Sequence, residues 1–359
     1  MRSPRSSPTT RKNSFGDRMG EIRTLEKTAL HELLTKLITA GYRVVAPVKE
    51  NDRLAFGEVM SSYAPVEDHP PTTMSAKSIT FPPYETLIRY CSDDGSVRID
   101  DVVQEPPPTV LFGIHPCDAA AFNVLDSVFL GGDPDAHFQV KRERLTLIAL
   151  SCTESDEYCF CTSVGLGPGD SRGSDMLLTP LEGNQYLVEI LTDKGRAVIS
   201  TAPELFAKAD VDDKTKESVL AHVPVRFSAD RLAKRLPELF AHDELWSDQS
   251  LRCLGCGACA FVCPTCSCFD IQDERGRRGG VRLRCWDSCG FSLFTLHASG
   301  HNPRSKQGNR WRQRVMHKFC YQPQRLERLG CVGCGRCSRA CPVDMNLAGL
   351  LATFSETQP

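Results

Sequence analysis

The chain has 359 residues, of which 41% are hydrophobic and 25% charged, with a formal net charge of −2. That balance is ordinary for a globular protein and excludes a collagen-like, low-complexity or charge-driven disordered chain, and the length sets a soft expectation of two domains. No apolar run reaches the ~18 residues of a membrane helix, no apolar signal-peptide core opens the sequence, and 18 cysteines in such a chain point to a cytoplasmic, reducing location and to metal ligation rather than a disulfide framework.

Residues 1–18 are rich in Ser, Arg and Pro without periodicity and read as a disordered leader; folded pattern begins just after Met19, an alternative start. Leu30, Leu33, Leu34 and Leu37 recur at i, i+3, i+4 and i+7. They predict an amphipathic helix over 21–40, stopped by Gly41. Strands are expected at 42–48 and 54–59 and a loop over 67–80, while 82–90 shows no firm preference.

Residues 109–114 form an apolar run that ends at His115-Pro116-Cys117-Asp118. Helical periodicity follows over 119–130, and 145–150 is a second apolar run ending at Ser151-Cys152. Strand, helix and strand within about 40 residues read as a βαβ unit with parallel strands. Ligands in such sheets collect at the C-terminal strand ends, where Cys117 and Cys152 fall. Cys159 and Cys161 follow shortly after. These four cysteines read either as ligands of a third iron–sulfur cluster or as buried free thiols, which pack well as small apolar groups. Gly165-Leu-Gly-Pro-Gly169 reads as a turn or as a cradle for phosphate or flavin. Strands at 175–178 and 186–190 flank a Gly183-Asn184 turn, and 202–243 reads as mostly helical cover.

The strongest signal comes next. Cys253-Leu-Gly-Cys256-Gly-Ala-Cys259-Ala-Phe-Val-Cys263-Pro264 recurs as Cys331-Val-Gly-Cys334-Gly-Arg-Cys337-Ser-Arg-Ala-Cys341-Pro342. Each is C-x2-C-x2-C-x3-C-P, the spacing of a bacterial ferredoxin [4Fe-4S] site, in which the fourth cysteine ligates the other cluster of a pair. One cluster is therefore expected on Cys253, Cys256, Cys259 and Cys341, and the other on Cys331, Cys334, Cys337 and Cys263. Glycines between the cysteines let the backbone wrap closely around a cubane. Zinc would sooner use separated C-x2-C pairs, and disulfides need neither the glycines nor the proline.

Residues 264–330, between the two runs, hold Cys266, Cys268, Cys285, Cys289 and Cys320, which read as a further metal site or as packing around the clusters. Thirteen Lys/Arg from Arg275 to Arg328 face only Asp287 and Glu327. Such charge offsets a thiolate-ligated cluster or docks an acidic redox partner. Nucleic acid is disfavoured, since no nucleic-acid fold motif accompanies it.

Phe112-Gly-Ile-His-Pro-Cys-Asp118, Cys152-Thr-Glu with Cys159-Phe-Cys-Thr-Ser163, Cys253 through Asp270, Trp286-Asp-Ser-Cys289, His317-Lys-Phe319 and Cys331 through Val343 together resemble the beta subunit of cytoplasmic sulfhydrogenase-type NiFe hydrogenases and its counterpart in anaerobic sulfite reductase. The likeness covers roughly residues 20–350 and departs from the expected pattern at His115, expected as arginine. It implies an iron–sulfur electron-transfer subunit without a catalytic site of its own. Electrons would pass between a flavin- and NAD(P)-binding subunit and a catalytic subunit of NiFe-hydrogenase or sulfite-reductase type. The alternative is a self-standing iron–sulfur reductase with an open site at Cys117, Cys152, Cys159 and Cys161. The expected architecture is an α/β (α+β) domain over 19–244 with a partly parallel sheet, then a mostly helical, ferredoxin-like domain over 245–359 carrying two [4Fe-4S] clusters.

Overall fold

The computed structural model describes residues 21–51, 53–60, 66, 69–93, 96–209 and 213–356; the leader expected over 1–18 lies outside them. The strands are β1 (Glu21–Glu26), β2 (Arg43–Glu50), β3 (Arg53–Glu58), β4 (Tyr84–Asp93), β5 (Ser96–Asp101), β6 (Thr109–Ile114), β7 (Leu145–Leu150), β8 (Met176–Leu181), β9 (Gln185–Ile190), β10 (Phe206–Lys208), β11 (Phe269–Gly276) and β12 (Gly279–Trp286). An eight-stranded sheet runs β10-β1-β9-β8-β7-β6-β2-β3. Its centre, β2, β6, β7 and β8, is parallel, and both flanks are antiparallel.

Every residue of β6 and β7 is buried, as expected of parallel strands covered on both faces. Val110, Phe112, Ile148 and Leu150 pack with Leu30, Leu33, Leu34 and Leu37 of the helix Leu30–Thr39. Leu111, Leu147 and Ala149 pack on the other face, with Ala119 and Phe122 of the helix Pro116–Phe129. Gly113 has φ +76 where the register between β6 and β7 shifts. This bulge returns Ile114 to the Leu111 face and aims the strand end into Pro116, the first residue of the helix.

The helix expected over 21–40 is a strand followed by a helix. The leucine quartet is helical and buried, but residues 21–26 pair with β9 on one side and β10 on the other. Two available sheet neighbours override the helical pattern there.

Residues 82–90, without a firm assignment in sequence, mostly belong to β4. A second sheet runs β11-β12-β4-β5, antiparallel throughout. The segment between the cysteine runs thus supplies a hairpin to a sheet shared with the N-terminal half. Arg284 of β12, only 2% exposed, pairs with Glu85 at 2.5 Å and with Asp135. The remaining C-terminal elements are helices. The longest run is Gln307–Met316, continued by a π-helical turn at His317–Tyr321 and then Gln322–Leu326. Trp246, Trp311, Phe319 and Phe354 form the core there.

Candidate metal centres

The two ferredoxin-type loops repeat one backbone. Gly255 and Gly333 both have φ +66, and Gly257 and Gly335 have φ +76 and +72. The latter pair cap the short helices Ala258–Phe261 and Arg336–Arg339. Left-handed backbone is costly for any residue with a Cβ, so glycines recur where the chain turns around the thiols.

Cys253, Cys256, Cys259 and Cys341 line one cavity of about 40 Å³, together with Cys337. Cys263, Cys331, Cys334 and Cys337 line a second, of about 10 Å³. The sulfurs accept hydrogen bonds: Gln307 Nε2 donates to Cys253 Sγ at 3.1 Å, Met345 N to Cys341 Sγ at 3.3 Å and Gly333 N to Cys331 Sγ at 3.4 Å. Donors aimed at sulfur favour the thiolate and tune a cluster's potential.

The second cavity carries buried positive charge. Lys318, 6% exposed, reaches Cys263 Sγ at 3.4 Å, Thr265 Oγ1 at 2.9 Å and the Gly330 carbonyl at 2.6 Å. Arg314, 5% exposed, donates to the Cys259 carbonyl at 2.7 Å, while its Nε has no acceptor among the described residues. Neither cation has a carboxylate within salt-bridge distance among the described residues. Buried cations require compensating negative charge, and a thiolate-ligated cluster supplies it. Burial raises the Cys263 thiol, but Lys318 and Arg314 outweigh it and bring it down to about 7. Burial pushes Cys331 and Cys334 up to about 12 and about 11, so metal loading must displace their protons. Replacing Lys318 with methionine is expected to lower the potential of the neighbouring centre, because the reduced, more negative state loses a nearby cation. The shift should be on the order of 60 mV, a tenfold change in a one-electron equilibrium. Redox titration followed by electron paramagnetic resonance measures it; an unchanged midpoint would separate Lys318 from the site.

Cys117, Cys152, Cys159 and Cys161 line a third cavity, of about 240 Å³. Cys117 sits in the first turn of Pro116–Phe129, and Cys152 follows β7. Gly167 and Pro168 also line this cavity, while Gly165 takes φ +75 to close the turn at Cys161–Val164. His69 and His115 stack in its wall with centroids 4.8 Å apart. Burial first, and the neighbouring His69, push the His115 imidazole down to about 3, which keeps it neutral.

This third set abuts the second loop. Phe160 N donates to the Gly333 carbonyl at 2.9 Å. Arg339 donates to the Cys334 carbonyl at 2.7 Å and to Cys159 Sγ at 3.2 Å, and pairs with Asp156. Arg336 and Asp118, each 2% exposed, form a two-pronged pair at 2.6 and 2.7 Å. Sequence reasoning missed these tethers, although Asp118 follows Cys117 directly and Arg336 lies inside a cysteine run.

The cysteines between the runs divide. Cys266, Cys268 and Cys289 act on one another, which raises the Cys268 thiol and lowers the other two. Lys77 lies beside them, with Nζ 3.2 Å from the Cys266 carbonyl and 4.0 Å above the Trp286 ring. Cys285 stands apart on the hairpin, opposite Asp270, and Cys320 accepts from Gln324 at 3.4 Å. All eighteen cysteines are free. Among the described residues, no three His, Cys, Asp or Glu side chains form a site for a single metal ion. Each four-thiol set lines a cavity.

Two ferredoxin-type loops, each ending in a fourth cysteine and a proline, define an iron–sulfur protein of the two-cluster class. The 4Fe-4S dicluster domain family matches residues 252–345, and the chain carries two [4Fe-4S] clusters. It is also 30% identical over 317 residues to sulfhydrogenase 2 subunit beta of Pyrococcus furiosus, covering 87% of this chain and 91% of that one. The chain belongs to the sulfhydrogenase beta-subunit family. No solved structure matches it.

Proposed function

We propose that the chain is the iron–sulfur relay of a multi-subunit oxidoreductase, carrying electrons between a flavin- or NAD(P)-binding subunit and a catalytic subunit of NiFe-hydrogenase or sulfite-reductase type. One observation carries this reading. The three cysteine-lined cavities stand in series, the first and second sharing Cys337 and the second and third sharing Cys334. We assign Cys253, Cys256, Cys259 and Cys341 to one [4Fe-4S] cluster, Cys331, Cys334, Cys337 and Cys263 to the other, and Cys117, Cys152, Cys159 and Cys161 to a third.

When bound, each cluster accepts or releases one electron. The chain's own residues hold the sulfurs rigidly, which keeps structural change on electron transfer small. Lys318 and Arg314 offset the added charge beside the second set. We also assign an α/β domain to 19–244 and a two-cluster domain to 245–359, the hairpin within residues 264–330 reaching back to pair with β4 of the first. Among the described residues, no helix is long and apolar enough to cross a membrane.

Iron and acid-labile sulfide on the anaerobically purified chain test the relay. About twelve irons are expected, four per cubane, and Cys161→Ser should remove about four while sparing the ferredoxin-type signals. About eight irons in the unaltered chain would end the third assignment. The size of the third cavity, about 240 Å³ against about 40 and about 10, favours a second reading, a self-standing reductase that admits a small substrate there. Spectra of the isolated chain that shift on adding sulfite or polysulfide would support that reading. Spectra indifferent to both, with activity confined to a heteromeric complex, would dismiss it.

A further inference from the structure

The helical run from Gln307 to Leu326 has two functional sides. Lys318 turns inward to Cys263. Its neighbours His317, Tyr321 and Gln322 line an open cavity of about 770 Å³ on the other side. The change of direction falls in the π-helical turn at His317–Tyr321, a feature frequent at functional sites.

The cavity is strongly basic. Arg304, Arg312 and Arg325 line it, with no acidic residue in its wall among the described residues. Tyr321 lines the same cavity as these three arginines. Arg312 is anchored on Asp243 at 2.7 Å and stacked on Phe240 at 4.2 Å. Arg304 and Arg325 have no carboxylate within salt-bridge distance among the described residues. Guanidiniums that line one cavity suit phosphate oxygens. The volume is far more than one inorganic anion needs and lies in the range of small-molecule sites. Phe240 and Leu326 add an apolar wall for a non-ionic portion.

We propose that this cavity binds an organic phosphate of nucleotide size, with Arg304, Arg325 and Tyr321 holding the phosphate. The site lies one residue from Lys318, so its occupant stands close to the second cysteine set without sharing a ligand with it.

Equilibrium dialysis of the full, cluster-loaded chain with ADP, pyrophosphate and adenosine tests this. ADP should bind, adenosine should not, and pyrophosphate should bind more weakly than ADP. The double variant R304Q/R325Q should weaken ADP at least tenfold with iron content unchanged. The single reversal Arg325→Glu, at an exposed position, provides a second test should the double variant fold poorly. No ADP retention, equal ADP binding by the variants, or pyrophosphate binding as tightly as ADP would each overturn the proposal. Displacement of ADP by short polyglutamate but not by pyrophosphate would also overturn it and assign the cavity to an acidic polypeptide.

Discussion

Replacing Gly333 with alanine is expected to strip iron from the second and third cysteine sets while leaving the first loaded. Gly333 has φ +66, and a Cβ placed on it would lie 2.5 Å from Cys161 N and 2.6 Å from both Cys161 Cα and Phe160 C. Left-handed backbone alone costs an alanine about 1 kcal/mol. The contact is worse, because every atom met is backbone and cannot rotate away. Either the Cys331–Cys337 loop or the segment carrying Cys159 and Cys161 must move. Each bears thiols whose spread defines a site, so the damage reaches both. From about twelve irons, the variant should retain about four, with one ferredoxin-type signal surviving. Gly167→Ala is the control. Gly167 lines the same third cavity, but a Cβ there meets nothing within 4 Å, so iron content should be unchanged. A Gly333→Ala chain with full iron and unaltered spectra would mean that the two loops are not in the contact described.

What the sequence conveyed depended on range. The β6 and β7 strands were legible because a parallel strand covered on both faces is apolar throughout, and residues 109–114 and 145–150 are. The two ferredoxin-type runs were legible because cubane geometry dictates local spacing, and their cysteines line two cavities that share Cys337. β1 was missed because its pairing with β9 and β10 is a tertiary fact with no trace in the local pattern. The second sheet was missed for the same reason. β4 and β12 lie far apart in sequence, β11 is exposed along its whole length, and neither hairpin carries the clean alternation of a half-buried strand. The basic stretch was visible only as a sum. Arg284, Arg314 and Lys318 turn inward, Arg282 pairs with Asp273, and Arg304, Arg312 and Arg325 gather at one cavity. Charge counting cannot separate these fates, because they depend on which face of a helix or strand each residue occupies.

The pair that joins the two halves yields the second large effect. Arg336 donates to both carboxylate oxygens of Asp118, and also to the Thr72 carbonyl at 2.8 Å and Thr72 Oγ1 at 3.1 Å. With this much of the guanidinium satisfied, it can tolerate near-complete burial. Arg336→Met leaves Asp118 buried without its partner and is expected to destabilise the chain by about 3–5 kcal/mol, the usual cost of stranding one member of a buried pair. Arg336→Lys should recover only part of this, since an ammonium cannot make the two-pronged contact and reach Thr72 as well. The double variant D118L/R336M should be markedly more stable than Arg336→Met, because no isolated charge remains. That recovery separates electrostatic stranding from a mere packing defect. Anaerobic denaturant titration of the unaltered chain, Asp118→Leu, Arg336→Met and the double variant, read as a double-mutant cycle, measures it. The helix that carries Asp118 also carries Cys117 and packs Ala120, Ala121 and Val124 on Val332 and Cys334. Loosening the pair should therefore release third-site iron before unfolding begins. A loss below about 1 kcal/mol in Arg336→Met, in the range of an exposed ion pair, would show that this salt bridge is incidental to holding the two halves together.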